Sequence, residues 1–265
     1  PKSSTGRTQM RLDWRRRLRL LALAAGIAAA AGGLGCNSSS STHASGDAEK
    51  EFFPLVPGAR WRYKLALEIG SAEVEVVARG DSTVEGLAGL AFVMDEHALG
   101  AETLGIAEVG PTAYVARDGF LCRYTGLDYR SPDHLKMLGQ EDPARVMPIG
   151  GAAGKEWTNE TRLLQQPENG GGGLIKWTGR TKRVDALTVP AGEFKDVLLV
   201  ETEYWDESIS KDGPLLAYED YYARGVGLIR SVSTNHAQRF WSPSSVEQVL
   251  LSVSFADTAP AAVHE

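Results

Sequence analysis

The side chains able to do chemistry are sparse and set apart. Asp95-Glu96-His97 is the densest group of metal-ligating types in the chain. On an extended strand successive side chains point to opposite faces, so only Asp95 and His97 converge, fewer than the three or four ligands zinc takes. No metal site is expected there. Asp133-His134 falls in an irregular stretch of the kind that carries functional loops. Glu201, Glu203, Asp206, Glu219 and Asp220 supply carboxylates for a glycosidase-like acid pair, although charge on solvated strand faces accounts for them more simply. Cys122 shares a strand face with Phe120 and Tyr124, opposite Leu121 and Arg123, which suits a small buried hydrophobe better than a nucleophile. The chain has no Gly-x-Ser-x-Gly elbow, no His-Glu-x-x-His and no Gly-x-x-x-x-Gly-Lys. Asn169-Gly170-Gly171-Gly172-Gly173 lacks the following Lys-Ser/Thr of a phosphate cradle and reads as a hairpin loop. No catalytic residue, metal or cofactor is therefore assigned, and the chain reads as a non-enzyme.

The elements that would hold these residues begin after an unlike leader. The 265 residues carry a formal net charge of −6. Residues 1–35 contribute +6, from Lys2, Arg7, Arg11, Arg15, Arg16, Arg17 and Arg19 against Asp13, and the remainder is at −12. A body so acidic repels phosphate backbones, which argues against nucleic-acid binding. The arginines precede an apolar, Ala-rich run over residues 20–35 that ends in Gly32, Gly33 and Gly35. A basic region, a short apolar region and a small-residue end form a secretory signal helix, with Met10 its expected start. The run is short of the ~20 residues of a transmembrane anchor. Residues 37–50, with the Ser38–Ser41 run, contain no bulky apolar side chain and read as a flexible tether reaching roughly 20 Å.

Gly33-Leu34-Gly35-Cys36 resembles the lipobox of bacterial lipoproteins, with Leu34 one place nearer the cysteine than is usual there. The resemblance implies that Cys36 becomes the N-terminus and carries the lipid. More than one acyl chain makes such an anchor durable. Asn37 stands where some inner-membrane lipoproteins carry Asp, so the resemblance implies an outer-membrane address facing the periplasm. If Cys36 is not acylated, the alternative is a secreted or periplasmic protein, in which a Cys36–Cys122 bridge becomes available.

From residue 51 the hydrophobic period is two. Trp61, Tyr63, Leu65, Leu67 and Ile69 alternate with polar neighbours, and Gly70-Ser71 turns the chain into Val74, Val76 and Ala78. Gly80-Asp81 and Gly86 punctuate, and Leu90, Phe92 and Met94 form a further set. Asp118-Gly119 is a two-residue hairpin signal between 112–117 and 120–125. Residues 126–158 read as a long excursion with at most a short helix near His134–Leu138. Strands are expected over 158–164, 174–187, 197–204, 215–224, 228–234 and 246–255. About ten strands with short turns imply a mainly β fold, an antiparallel curved sheet or barrel-like single domain. The expected division is a signal peptide (1–35), a lipidated Cys36 with its tether (36–50), the β domain (51–257) and a disordered tail (258–265).

Three patches of the body resemble a group of uncharacterised bacterial envelope lipoproteins. They are Phe53-Pro54-Leu55 with Gly58, Trp61 and Tyr63; Val189-Pro190-Ala191-Gly192-Glu193-Phe194; and the run from Tyr221 to Ile229 with Gly225-Val226-Gly227. The resemblance implies a β-rich fold and an envelope address, and assigns no reaction. Read physically, Pro190 interrupts a ladder, Gly192 permits a tight turn, and Trp61 and Tyr63 plug one end of the sheet. The expected role is a non-enzymatic membrane-tethered module that binds an apolar ligand or an envelope partner, with Trp61, Tyr63, Trp177 and Trp205 as the candidate face. Alternatives are an assembly subunit of an envelope complex, or a hydrolase using loop residues 126–158.

Overall fold

Alternation of large apolar and charged residues builds a single wrapped sheet. The computed structural model describes residues 51–68, 70–87, 89–99, 111–124, 127–128, 135–137, 143–162, 174–206, 213–236 and 244–255. The signal, Cys36, the tether, the 169–173 loop and the tail lie outside these residues. The strands are β1 (Arg60–Leu67), β2 (Gly70–Glu85), β3 (Leu90–Leu99), β4 (Thr112–Arg117), β5 (Phe120–Tyr124), β6 (Leu127–Asp128), β7 (Leu135–Met137), β8 (Ala144–Pro148), β9 (Glu156–Arg162), β10 (Leu174–Val189), β11 (Gly192–Asp206), β12 (Leu216–Ala223), β13 (Gly227–Asn235) and β14 (Ser245–Ser254). Twelve lie side by side in the order β8-β5-β4-β3-β2-β1-β14-β13-β12-β11-β10-β9. Every adjacent pair along this path is antiparallel. The expected all-β, barrel-like architecture is the one found, as a nearly closed barrel.

β1 shows how the pattern sets the faces. Trp61, Tyr63 and Leu65 are buried while Arg60, Arg62 and Lys64 are exposed. The outer row is stitched to β2 by Arg60–Glu75 at 3.2 Å and Arg62–Glu73 at 2.5 Å. Asp118 and Gly119 both have positive φ, 52° and 78°, the geometry of a type I′ hairpin, and join β4 to β5.

Three local expectations are corrected. Gly80 does not end a strand. It sits at a register shift within β2, at φ 102°, with Pro57 packed so close that a Cβ would lie 3.2 Å from it. A bulge bends the strand without terminating it. The stretch near His134–Leu138 is not a helix: Leu135–Met137 is β7, parallel to Val84–Glu85 of β2 and antiparallel to β6. Within the 126–158 excursion, Ala144–Pro148 is a strand pairing with β5. Pro148 disguises it in the sequence but is tolerated because β8 is an edge.

β8 and β9 are the two edges of the sheet, and the link between them is held to β10 by Thr181, with Arg183 bonding the Gly151 carbonyl at 2.9 Å. Buried Thr181 donates through Oγ1 to the Ala152 carbonyl at 2.7 Å and accepts from the Lys155 N–H at 3.0 Å. Its own N–H reaches the Lys155 carbonyl at 2.9 Å, and its carbonyl accepts from Gly154 at 2.9 Å.

The main core is gathered from both halves of the wrap and includes Trp61, Tyr63, Phe92, Met94, Leu121, Met147, Trp157, Leu198, Tyr222, Ile229 and Leu250. A second cluster of Ile175, Trp177, Tyr204, Leu215 and Tyr218 lies further along β10–β12. A third, of Val84, Ala91, Val93, Ala113 and Tyr124, uses the opposite face of β2–β5.

The three motif patches meet at one end of the barrel. Trp61 Nε1 donates to the Val226 carbonyl at 2.6 Å. A Cβ on Gly227 would meet Pro54 at 3.5 Å and Trp61 Nε1 at 3.6 Å, ordinary contact distances, and the position calls for glycine through its φ of 96°. The Gly225 N–H reaches the Glu51 carbonyl, and that of Ala191 reaches Leu250. Phe52 is held between two guanidiniums, with Arg183 4.5 Å and Arg224 4.2 Å from its ring centroid. The motif residues thus close the barrel end from which the 51–59 segment enters.

Candidate functional site

The strand registers place charge inside the barrel. On β3, Met94 faces the core, so Glu96 two residues on shares its face while Asp95 and His97 point away. On β5, Arg123 stands opposite Tyr114 of β4. On β12, Tyr218, Asp220 and Tyr222 share the inward face, and Asp220 stands opposite Ser231 of β13. Five ladders separate β3 from β12 in the sheet, yet Glu96 and Asp220 both act electrostatically on Tyr114. Arg123 interacts with both carboxyls. These interactions span the lumen rather than follow the sheet.

Each group in this cluster is perturbed by its surroundings. Burial pushes the Glu96 carboxyl up, with Arg123 opposing it. Burial also raises Asp220, opposed by a hydrogen bond from Ser231 and by Arg123. Burial lifts Tyr63 and Tyr222 well above the usual phenol range, and raises Tyr114 and Tyr218. Arg123 donates a hydrogen bond to the Tyr114 hydroxyl. The Tyr63 hydroxyl donates to the Leu228 carbonyl at 3.1 Å. Glu96, Arg123 and Asp220 are only half-buried by surface, although protein encloses their head groups. Side chains deep in a fold that keep free surface line an internal recess.

A second set of unusual groups lies along the same wall. Asn159 of β9 stands opposite Trp177 of β10, both on the inward face. Asn159 is 6% exposed, and its Oδ1 and Nδ2 have no hydrogen-bond partner among the described residues; neither does the buried Nε1 of Trp177. A buried unsatisfied polar group costs about 1–3 kcal/mol. In native folds such a group is met by ordered water, an ion or a ligand, or is held under strain.

The candidate face from the sequence is only partly brought together. Trp61, Tyr63 and Trp177 point inward and are nearly fully buried, but Trp61 belongs to the closed end and Trp177 to the second cluster. Trp205 follows Tyr204, the partner of Trp177, and so points to the other face of the sheet. Trp241, Asp133 and His134 lie outside the described residues. Asp95 is taken by Arg79 at 2.7 and 3.0 Å. Glu201 is taken by Arg180 at 2.6 Å and Lys182 at 2.7 Å; its burial is outweighed by these bonds and its carboxyl titrates low. The Cys122 thiol is buried and pushed up to about 12 by that burial, with Arg145 and Arg117 only partly opposing it. Sequence reasoning passed over Arg123, Asn159 and Glu96 as a group. The available signal was a charge that continues an alternating row of large apolar residues, as Glu96 does after Phe92 and Met94.

No protein-family model and no curated protein matches the chain. Among solved structures, it is similar to a candidate lipoprotein from Parabacteroides distasonis at 14% identity and TM-score 0.46, over 77% of this chain and 99% of that one. It is also similar to a candidate exported protein with a YmcC-like fold from Bacteroides fragilis, at 15% identity and TM-score 0.41, over 77% and 99%. A β-barrel-like protein of a domain of unknown function from Brucella abortus aligns at 12% identity and TM-score 0.36, over 76% and 99%.

Proposed function

We propose that this chain is a non-enzymatic, lipid-anchored module of the bacterial envelope that receives a small ligand inside its barrel. The anchor rests on the export signal and the lipobox-like Gly33-Leu34-Gly35-Cys36. The ligand rests on one observation: an enclosed amide, Asn159, which meets no hydrogen-bond partner among the described residues and stands opposite Trp177 on the inward face, the same face that carries Glu96, Arg123 and Asp220 on other strands. A fully apolar molecule leaves these groups unmet. The reading therefore narrows from an apolar ligand to one with a polar head and an apolar or aromatic body, the latter against Trp177, Tyr204 and Tyr218. Binding is favoured over hydrolysis because Asp95 and Glu201 are already taken by cations and the Cys122 thiol is held neutral. Partner docking is less favoured, since the exposed large apolar side chains among the described residues are Leu90 and Leu99 at the two ends of β3, Ile149 after β8 and Phe255 after β14.

Two measurements test this. Cys36→Ser is expected to move the chain from the membrane to the soluble fraction of its host. Retention in the membrane would remove the anchor. Native mass spectrometry of the full chain from its own membranes is expected to show a non-covalent small molecule that Asn159→Leu loses. Identical, ligand-free spectra for both proteins would remove the interior-ligand reading.

A further inference from the structure

We propose that the ligand is an organic cation, a protonated amine or quaternary ammonium, held between Glu96 and Asp220 within a ring of tyrosines. This deepens the interior-ligand reading and rests on it. The two carboxyls come from separate walls, β3 and β12, lie on the inward faces of those strands, and both act on Tyr114 and on Arg123. Tyr63 on β1, Tyr114 on β4, and Tyr218 and Tyr222 on β12 complete the surround. Aromatic faces attract cations through the ring quadrupole, most strongly where water is excluded.

Charge selects the same class. The cluster holds two carboxyls and one guanidinium, and Arg123 already donates to Tyr114. An anion entering it meets more acid than base. Glu96 is the decisive member. Asp220 has Ser231 as a donor, whereas no hydrogen bond reaches the Glu96 carboxyl among the described residues. A carboxylate kept inside a protein without donors is costly. An ammonium N–H, or the positive methyl shell of a quaternary amine, supplies what Arg123 alone does not. A metal ion fits less well. It takes several oxygen ligands in one shell, and no group of three ligating side chains occurs among the described residues.

The test uses the full chain in lipid nanodiscs and titration calorimetry with four probes: benzyltrimethylammonium, phenethylammonium, 2-phenylethanol and phenylacetate. The two cations are expected to bind and phenylacetate is not. Glu96→Gln and Asp220→Asn, which keep side-chain size, are each expected to weaken cation binding about tenfold, the loss of one charge-assisted contact. Circular dichroism checks that both variants remain folded. Ser231→Trp, which fills the recess from the neighbouring strand, is expected to abolish binding. Cation affinities unchanged in Glu96→Gln would overturn the assignment, as would calcium binding at the same site. Binding of the alcohol or the anion in place of the cations would overturn the cation class and leave the interior-ligand reading standing. If no probe binds, the cation assignment fails, and the native mass spectrum decides the interior reading separately.

Discussion

Replacing Arg123 by methionine is expected to destabilise the protein by about 3–5 kcal/mol at neutral pH, the usual effect of removing one member of an enclosed charge group. The substitution keeps most of the side-chain volume but removes the guanidinium that opposes the burial of Glu96 and Asp220 and takes the donor from Tyr114. The pH dependence follows from direction alone. Both carboxyls titrate above their ordinary values in the folded protein, so the native state binds more protons than the unfolded chain. Stability contributed by these groups is complete below the unfolded carboxyl range, about pH 4, and is lost as pH rises through the raised folded values. Without Arg123 those values rise further and the window of loss extends upward. Urea unfolding across pH 4 to 8 should therefore show the variant closest to the parent at the acid end. Adding Glu96→Gln and Asp220→Asn should restore much of the loss at neutral pH. A pH-independent deficit would mean that Arg123 acts by packing and not by charge.

Gly179→Ala is the second large expected effect, at about 2–4 kcal/mol, in the range of a forced core rearrangement. The Trp157 indole lies flat over Gly179, and a Cβ there would fall 2.2 Å from two of its ring carbons. Those atoms belong to a rigid ring and not to a mobile tip. Trp157 also packs against Phe120 of β5 in a tilted ring contact, centroids 5.4 Å apart at 59°, which limits its retreat. The backbone of Gly179 is not in the left-handed region, so the effect is steric alone. A double-mutant cycle separates the causes. In a Trp157→Ala background, Gly179→Ala should be nearly neutral in thermal unfolding. An undiminished penalty there would remove the indole from the explanation.

How much of this was legible in the sequence depends on which interactions decide each feature. β1 was plain because Trp61, Tyr63 and Leu65 alternate with charges that need water, and the pleat turns that alternation directly into faces. The Asp118-Gly119 hairpin was plain because a type I′ turn selects its own residues. β8 and β7 were hidden because their strand character comes from partners distant in sequence, Phe120–Arg123 and Val84–Glu85, and not from their own pattern. The candidate site was hidden for the same reason. Glu96 and Asp220 resemble ordinary solvent-facing acids when read locally. Only the curvature of the sheet, a property of all twelve strands at once, turns their faces inward. Glu201 and Asp95 show the converse: similar residues on similar strands, with their cations on the neighbouring strands at the outer surface.

The seam between β8 and β9 gives the barrel a clasp. Among the described residues no backbone ladder joins these two strands, and the wrap is held there by the tilted Phe120–Trp157 ring contact, the Arg183 bond to the Gly151 carbonyl and the loop fastened to Thr181. Along every other line the wall can part only by breaking a row of peptide hydrogen bonds. Along this one it can part by shifting a few side chains. The girth of the barrel therefore depends on a single seam of side-chain contacts, as in a split ring, and that seam is where the wall yields with the fewest peptide hydrogen bonds broken.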